Sequence, residues 1–135
     1  MSKMIFVNLP VTDLERSKNF YEEIGFSNNP QFSDDTAACM VVSEAISVML
    51  HTHDKWRTFT SRPIPSTGAS EVMLAVSCES RDAVDAMNGS ASANGGTADI
   101  NPVQDLGFLY NRSFADPDGH VWEAVYMDFS AVAAG

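Results

Sequence analysis

The sequence predicts an α+β fold assembled from two βαβββ modules. Three observations carry that reading. A strand pattern, a helix pattern and three more strand patterns begin near Met4, and the same order begins again near Glu71. Each helix pattern opens on a residue suited to cap it, Thr12 in the first case and Ser80 in the second. The last two strands of the second set are joined by D-P-D-G at Asp116 to Gly119, where Pro117 fixes φ and Gly119 can take the positive φ of a tight turn.

In order, Met4 to Leu9 alternates Ile5, Val7 and Leu9 against Met4, Phe6 and Asn8, and Pro10 is expected to limit further pairing. T-D-L-E at Thr12 to Glu15 reads as a capping box, with Leu14, Phe20, Tyr21 and Ile24 at helical spacing behind it and Gly25 as the stop. Strands are expected over 26–33, 37–43 and 46–52. His53 to Gly68 holds Trp56, Phe59, Pro63 and Pro65 without a regular pattern. Its span over 54–68 is expected to be a linker or a lid between modules at about 1–53 and 69–127. The second module is predicted as a strand over 71–77, a helix behind Ser80 ended by Gly95 and Gly96, and strands near 98–103, 108–115 and 120–126.

The chain of 135 residues fits one domain. Its formal charge of −10 argues against a nucleic-acid partner and leans towards neutral or cationic ligands. Cys39 and Cys78 are too few for a disulfide framework and lack zinc-site spacing, so they read as reduced thiols in a cytoplasm, with a single disulfide as the alternative. Residues 1–6 lack the features of a signal peptide, and no apolar run reaches the ~18 to 20 residues of a membrane span, so no membrane association is expected. Glu123 is the one polar residue in the run Val121 to Tyr126. Burying it unpaired would cost several kcal/mol, on the order of the penalty for a lone charge, so it should meet a cation, a metal, a donor or solvent.

Two stretches together carry a family resemblance. F-V-N-L-P-V-T-D-L-E-R-S-K-N-F-Y-E-E-I-G-F at Phe6 to Phe26 and F-A-D-P-D-G-H-V-W-E at Phe114 to Glu123 resemble the vicinal oxygen chelate superfamily. Its relatives include glyoxalase I, extradiol dioxygenases, fosfomycin-modifying enzymes and bleomycin-binding resistance proteins. The resemblance implies two βαβββ modules in a curved mixed sheet around a cleft, helices on the outer face, and a homodimer. It also implies four cleft-facing positions that in the enzymes hold a divalent metal, which acts as a Lewis acid on substrate oxygens.

Carried across, those positions fall on Phe6, Met49, Glu71 and Glu123. Phenylalanine cannot bind a metal, and a thioether is a poor ligand for hard or borderline metals. Strand parity adds His51, roughly 6 to 7 Å beyond Met49 on the same side, so that His51, Glu71 and Glu123 can form a displaced site. Parity sets Ile5, Val7, Leu9, Val48, Leu50, Val72, Leu74, Val76, Trp122, Ala124 and Tyr126 on a helix-covered face. The other face receives Phe6, Asn8, Met49, His51, Glu71, Met73, Val121, Glu123 and Val125.

Two functions follow as expectations. One is a binding protein of the bleomycin-resistance type, without the full metal site, holding a small apolar or cationic molecule against Phe6, Asn8, Met49, Met73, Trp56, Tyr110 and Arg112. The other is a metal-dependent lyase, isomerase or dioxygenase using His51, Glu71 and Glu123, with Glu123 also serving as the catalytic base. A fold kept only for dimerisation or regulation is the third reading. Phe59 and Phe108 join the aromatic candidates, and Arg112 can bind a substrate anion or pair with a cleft carboxylate such as Glu123. His53 and His120 read as loop and turn residues, and Cys39 as a core thiol.

Overall fold

Alternating apolar residues draw β4 (Ile46–Thr52) into the interior of a four-stranded sheet, in the first of two units into which the chain divides after Ser66. The structure is a computed structural model that describes residues 3–130. In this unit β1 (Ile5–Val11), α1 (Leu14–Glu23), β2 (Ser27–Asn29) and β3 (Ala37–Ser43) precede β4, and the strand order is β1-β4-β3-β2. β1 and β4 run parallel, and the other neighbours are antiparallel. Helix α1 contacts β3 and β4, where Phe20 and Tyr21 are fully buried together with Met40, Val48 and Leu50. Leu9 and Val11 of β1 complete this core.

Three local expectations are corrected here. β1 continues through Pro10 to Val11, because it is an edge strand of its sheet with β4 as its neighbour, and an edge tolerates the missing N–H. The helix begins one residue later than the capping box implied. Asp13 is its cap, accepting from the Arg16 amide at 3.1 Å, while Thr12 Oγ1 accepts from the Arg16 guanidinium at 2.9 Å. The strand expected over 26–33 shortens to β2, since Pro30 turns the chain into a 3₁₀ helix (Pro30–Phe32) capped by Asn29. Gly25 ends α1 as predicted, with φ +115°. Its amide donates to the Glu22 carbonyl at 3.1 Å and that of Phe26 to Tyr21 at 2.9 Å, the paired bonds of a Schellman stop.

The second unit repeats the topology. β5 (Met73–Ser77), α3 (Arg81–Ala93), β6 (Thr97–Ala98), β7 (Gln104–Asp105), β8 (Leu109–Ala115) and β9 (Val121–Met127) form a sheet ordered β5-β9-β8-β6, with β7 also on β8. β5 and β9 are parallel, as β1 and β4 are. Ser80 caps α3 by accepting from the Ala83 amide at 3.0 Å. The opening strand starts at Met73, so Glu71 lies outside it. Of the strand expected over 98–103 only Ala98 pairs, as the end of β6, and the next short strand, β7, begins beyond it at Gln104. Asp99 sits at φ +51°, a left-handed conformation that breaks the ladder, held there by a two-way hydrogen-bond pair with buried Asn88.

The D-P-D-G turn is a closed unit of hydrogen bonds. Buried Asp116 accepts through one carboxylate oxygen from the amides of Asp118 and His120, both at 2.9 Å, while its own amide donates to the His120 carbonyl. Gly119 is required twice over: its φ is +88°, and an added Cβ would stand 2.3 Å from the Thr67 carbonyl oxygen. Gly119→Ala should therefore cost roughly 2 to 4 kcal/mol from backbone strain and overpacking together. Gly25→Ala, at a positive φ with open space around it, should cost about 1 kcal/mol. Urea denaturation of the two variants checks the difference, and equal losses would contradict the close approach to Thr67.

Candidate functional site

The parallel register of β1 on β4 pairs Asn8 with Met49 and Pro10 with His51, so Asn8 and His51 emerge on one face, one step apart. They meet in a hydrogen bond of 2.8 Å between His51 Nε2 and Asn8 Oδ1. A carbonyl oxygen only accepts, so Nε2 carries the proton and donates. His51 is only 4% exposed, and its other ring nitrogen, Nδ1, is buried without a hydrogen-bond partner. Burial, and then the nearby Lys55 ammonium, push the imidazole below its ordinary pKa of 6.5, which keeps the ring neutral at pH 7.

Immediately after β4 the chain winds into a single helical turn, α2 (His53–Trp56), within the span read as a linker or lid. Thr52 caps it, accepting from the Lys55 amide at 3.2 Å. The turn continues through amide bonds from Arg57, Thr58 and Phe59 to the carbonyls of His53, Lys55 and Trp56. This winding returns two aromatic rings over the strand. The Phe59 ring stands edge-on to His51 at 5.1 Å between centroids, and Trp56 is tilted against it at 6.3 Å. Above them is an open pocket of about 190 Å³ lined by Asn8, Trp56, Phe59 and Thr60. Lys55 Nζ lies 5.4 Å from the Phe59 ring centre, a cation already placed on that ring.

Asn8, His51 and Trp56 were all singled out from sequence, and the first unit brings them together. Phe6 occupies the same face of β1 but is 54% exposed, and Met49 is half-buried in register with Asn8 and Cys39. Thr60 was missed, because nothing in the sequence marks a polar residue in an irregular stretch as pocket lining. The α2 turn was missed too, although Thr52 followed by Asp54 and Lys55 was its available signal.

In the second unit Glu123 sits half-buried on β9, on the same face as Val121 and Val125. Its carboxylate accepts from Asn111 Nδ2 at 2.9 Å. Met73, in register with Val121, is 55% exposed on that face. Tyr110 and Arg112 lie on the opposite one, beside Tyr126 and Ala124 and towards α3. The Arg112 fork donates to Asp99 at 3.0 and 2.6 Å and to Asp85 of α3 at 2.9 Å, while the Tyr110 hydroxyl donates to Asp85 at 2.6 Å. Those bonds hold both aspartates below the usual carboxylate range. Arg112 is thus not the partner of Glu123, and Asn111 takes that place. Arg81 makes a second fork, bidentate to Asp105 at 2.9 Å with its guanidinium 4.9 Å from the Tyr110 ring centre, and lowers the Asp105 pKa to about 2. His53, read as a loop residue, instead opens α2, where the Thr52 cap starts a helical turn, while His120 follows the D-P-D-G turn as expected; Cys39 and Cys78 are both free thiols.

The residues present do not fit the metal centre that the resemblance implies. At its positions the first unit offers the ring of Phe6 and the thioether of Met49. Nearby His51 has one nitrogen bonded to Asn8. In the second unit Glu71 is exposed outside its strand and Glu123 is bonded to Asn111. Among the described residues, no group of three or more His, Cys, Asp or Glu side chains is placed to hold a metal ion.

Comparison with known proteins agrees with this architecture. Residues 3–43 match the family described as bleomycin resistance protein-like N-terminal. No curated protein matches the sequence. Among solved structures, the hypothetical protein SA1046 from S. aureus is 24% identical with a TM-score of 0.79, covering 93% of this chain and 95% of that one. A glyoxalase/bleomycin resistance protein/dioxygenase family enzyme from Burkholderia phytofirmans PsJN is 17% identical, TM-score 0.77, covering 93% and 99%. A glyoxalase/bleomycin resistance protein from Albidiferax ferrireducens T118 is 25% identical, TM-score 0.67, covering 90% and 95%. The chain therefore has the fold of these glyoxalase/bleomycin resistance/dioxygenase proteins.

Proposed function

We propose that this protein binds a small, neutral, mostly apolar molecule in the aromatic pocket of its first unit, without a family-type metal centre. The observation that carries the reading is the pocket itself, with Trp56 and Phe59 turned back over the buried Asn8–His51 pair. Large flat rings supply most of the contact a small ligand needs, and a few polar groups fix its orientation. Of the two ligand types expected, the neutral one is favoured over the cationic one, because Lys55 already sits over the Phe59 ring and would repel a second cation. Bleomycin resistance in the names of the matched family and neighbours accords with holding a ligand. The metal-dependent lyase, isomerase or dioxygenase reading is less supported, because among the described residues no three His, Cys, Asp or Glu side chains gather to hold an ion. The homodimer implied by the resemblance and the cytoplasmic setting implied by the reduced thiols belong to the same proposal.

Calorimetric titration with naphthalene checks it. Trp56→Ala should weaken naphthalene binding about tenfold, the loss of roughly 1.4 kcal/mol of ring contact, with an unchanged circular dichroism spectrum. Unchanged affinity would count against the pocket.

The neutral imidazole also makes stability depend on pH. Because the folded pKa of His51 is depressed below 6.5, the unfolded chain binds the proton more readily. The stabilisation is complete above pH 6.5 and is lost as pH falls towards the folded value. The urea midpoint of the wild type should therefore drop more between pH 7.5 and 5.5 than that of His51→Gln. Parallel curves would show that the ring is not buried as a neutral base.

A further inference from the structure

Resting on the pocket reading above, we infer that His51 Nδ1 is a ligand-recognition atom. It accepts a hydrogen bond from the N–H or O–H of a neutral aromatic molecule, so that the pocket selects donor-bearing rings over rings of the same shape without a donor. The Asn8 bond fixes the tautomer: with Nε2–H donating to Asn8 Oδ1 at 2.8 Å, the neutral ring presents its lone pair at Nδ1. That lone pair is buried and has no partner within the protein, in a ring that is 4% exposed. A buried acceptor left unpaired forfeits the hydrogen bond it would make to water, and a ligand donor would recover part of that loss.

The surroundings place His51 beneath the pocket rather than deep in the core. Three of the four lining residues ring it: Asn8 through the hydrogen bond, Phe59 edge-on and Trp56 tilted. Phe59, edge-on to the His51 ring, is 62% exposed and past Trp56 belongs to neither helix nor strand, so a turn of its ring can open the way to the imidazole at little packing cost. Trp56 then offers a face for the ligand ring; burial, and then Lys55, keep the imidazole neutral, and the same ammonium on the Phe59 ring disfavours a cationic guest.

Indole and benzofuran form a matched pair, of nearly equal shape, with an N–H in one and a ring oxygen in the other. Titrated calorimetrically into the full chain, indole should bind about three- to tenfold more tightly than benzofuran, the range of one net hydrogen bond. His51→Phe keeps a ring and removes the acceptor, and should reduce that ratio to near one. Equal binding of the two probes by the wild type would overturn the inference and leave the pocket standing. An indole preference that survives His51→Phe would also overturn it. If neither probe binds, the pocket reading falls and the inference with it. Should His51→Phe fail to fold, long-range ¹H–¹⁵N spectra of the wild type decide the matter. Nδ1 should resonate as an unprotonated ring nitrogen and shift with indole but not with benzofuran; a protonated Nδ1, or no shift with indole, would contradict it.

Discussion

Parallel pairing of the first and last strands is the constraint on which the chemistry of each unit depends. A strand can lie parallel to a later one only if the chain crosses over between them, and here the crossover carries a helix that covers one face of the sheet. The other face is left uncovered by that helix, and there polar residues such as Asn8, His51 and Glu123 stand among apolar ones. In the first unit the register that sets Asn8 beside Met49 also brings it within 2.8 Å of His51. A slip of one residue would turn His51 towards α1 and put Leu50 in its place. In the second unit the same topology aligns Glu123 with Ser113 and Ala75 and lets Asn111 reach its carboxylate.

The two units use their polar groups differently. In the second, the basic residues Arg81 and Arg112 are committed to Asp105, Asp99 and Asp85, and they tie α3 and the irregular 99–107 stretch to β8. These bonds are largely solvent-exposed, so each adds modest stability, and their main effect is geometric. Asp99 illustrates the point. Its strained backbone is fixed by Asn88, and its carboxylate is thereby aimed at the Arg112 fork. In the first unit a single histidine is desolvated and bonded through one nitrogen, and aromatic rings cover it. Such a neutral acceptor beside aromatic rings suits recognition of an uncharged guest better than stabilisation of a charged species.

Much of this was legible from residue patterns because the patterns were regular. β3 and β4 match their expected bounds, as does the Ser80 cap of α3, and Gly119 sits at the positive φ its turn requires. Where two residues competed for one role, sequence could not arbitrate: Thr12 and Asp13 are both good caps, and in the folded chain Asp13 takes the Arg16 amide while Thr12 is drawn to the Arg16 guanidinium. Parity would have separated Tyr110 and Arg112 from Glu123, since odd and even positions on β8 face opposite ways, but the β8–β9 register was not available from sequence. The pocket was half visible. Asn8, His51 and Trp56 stood out by residue type. That His51 bonds to Asn8 depends on a contact between residues 43 positions apart in the chain.

The central claim is that ligand recognition is concentrated in the first unit, around Asn8, His51, Trp56, Phe59 and Thr60. Backbone amide and aromatic side-chain NMR of the full chain, recorded while indole is titrated in, tests it most directly. The shifts should gather on those five residues and fade with distance from them. Shifts gathered instead on Met73, Asn111 and Glu123 would contradict it and return the site to the second unit.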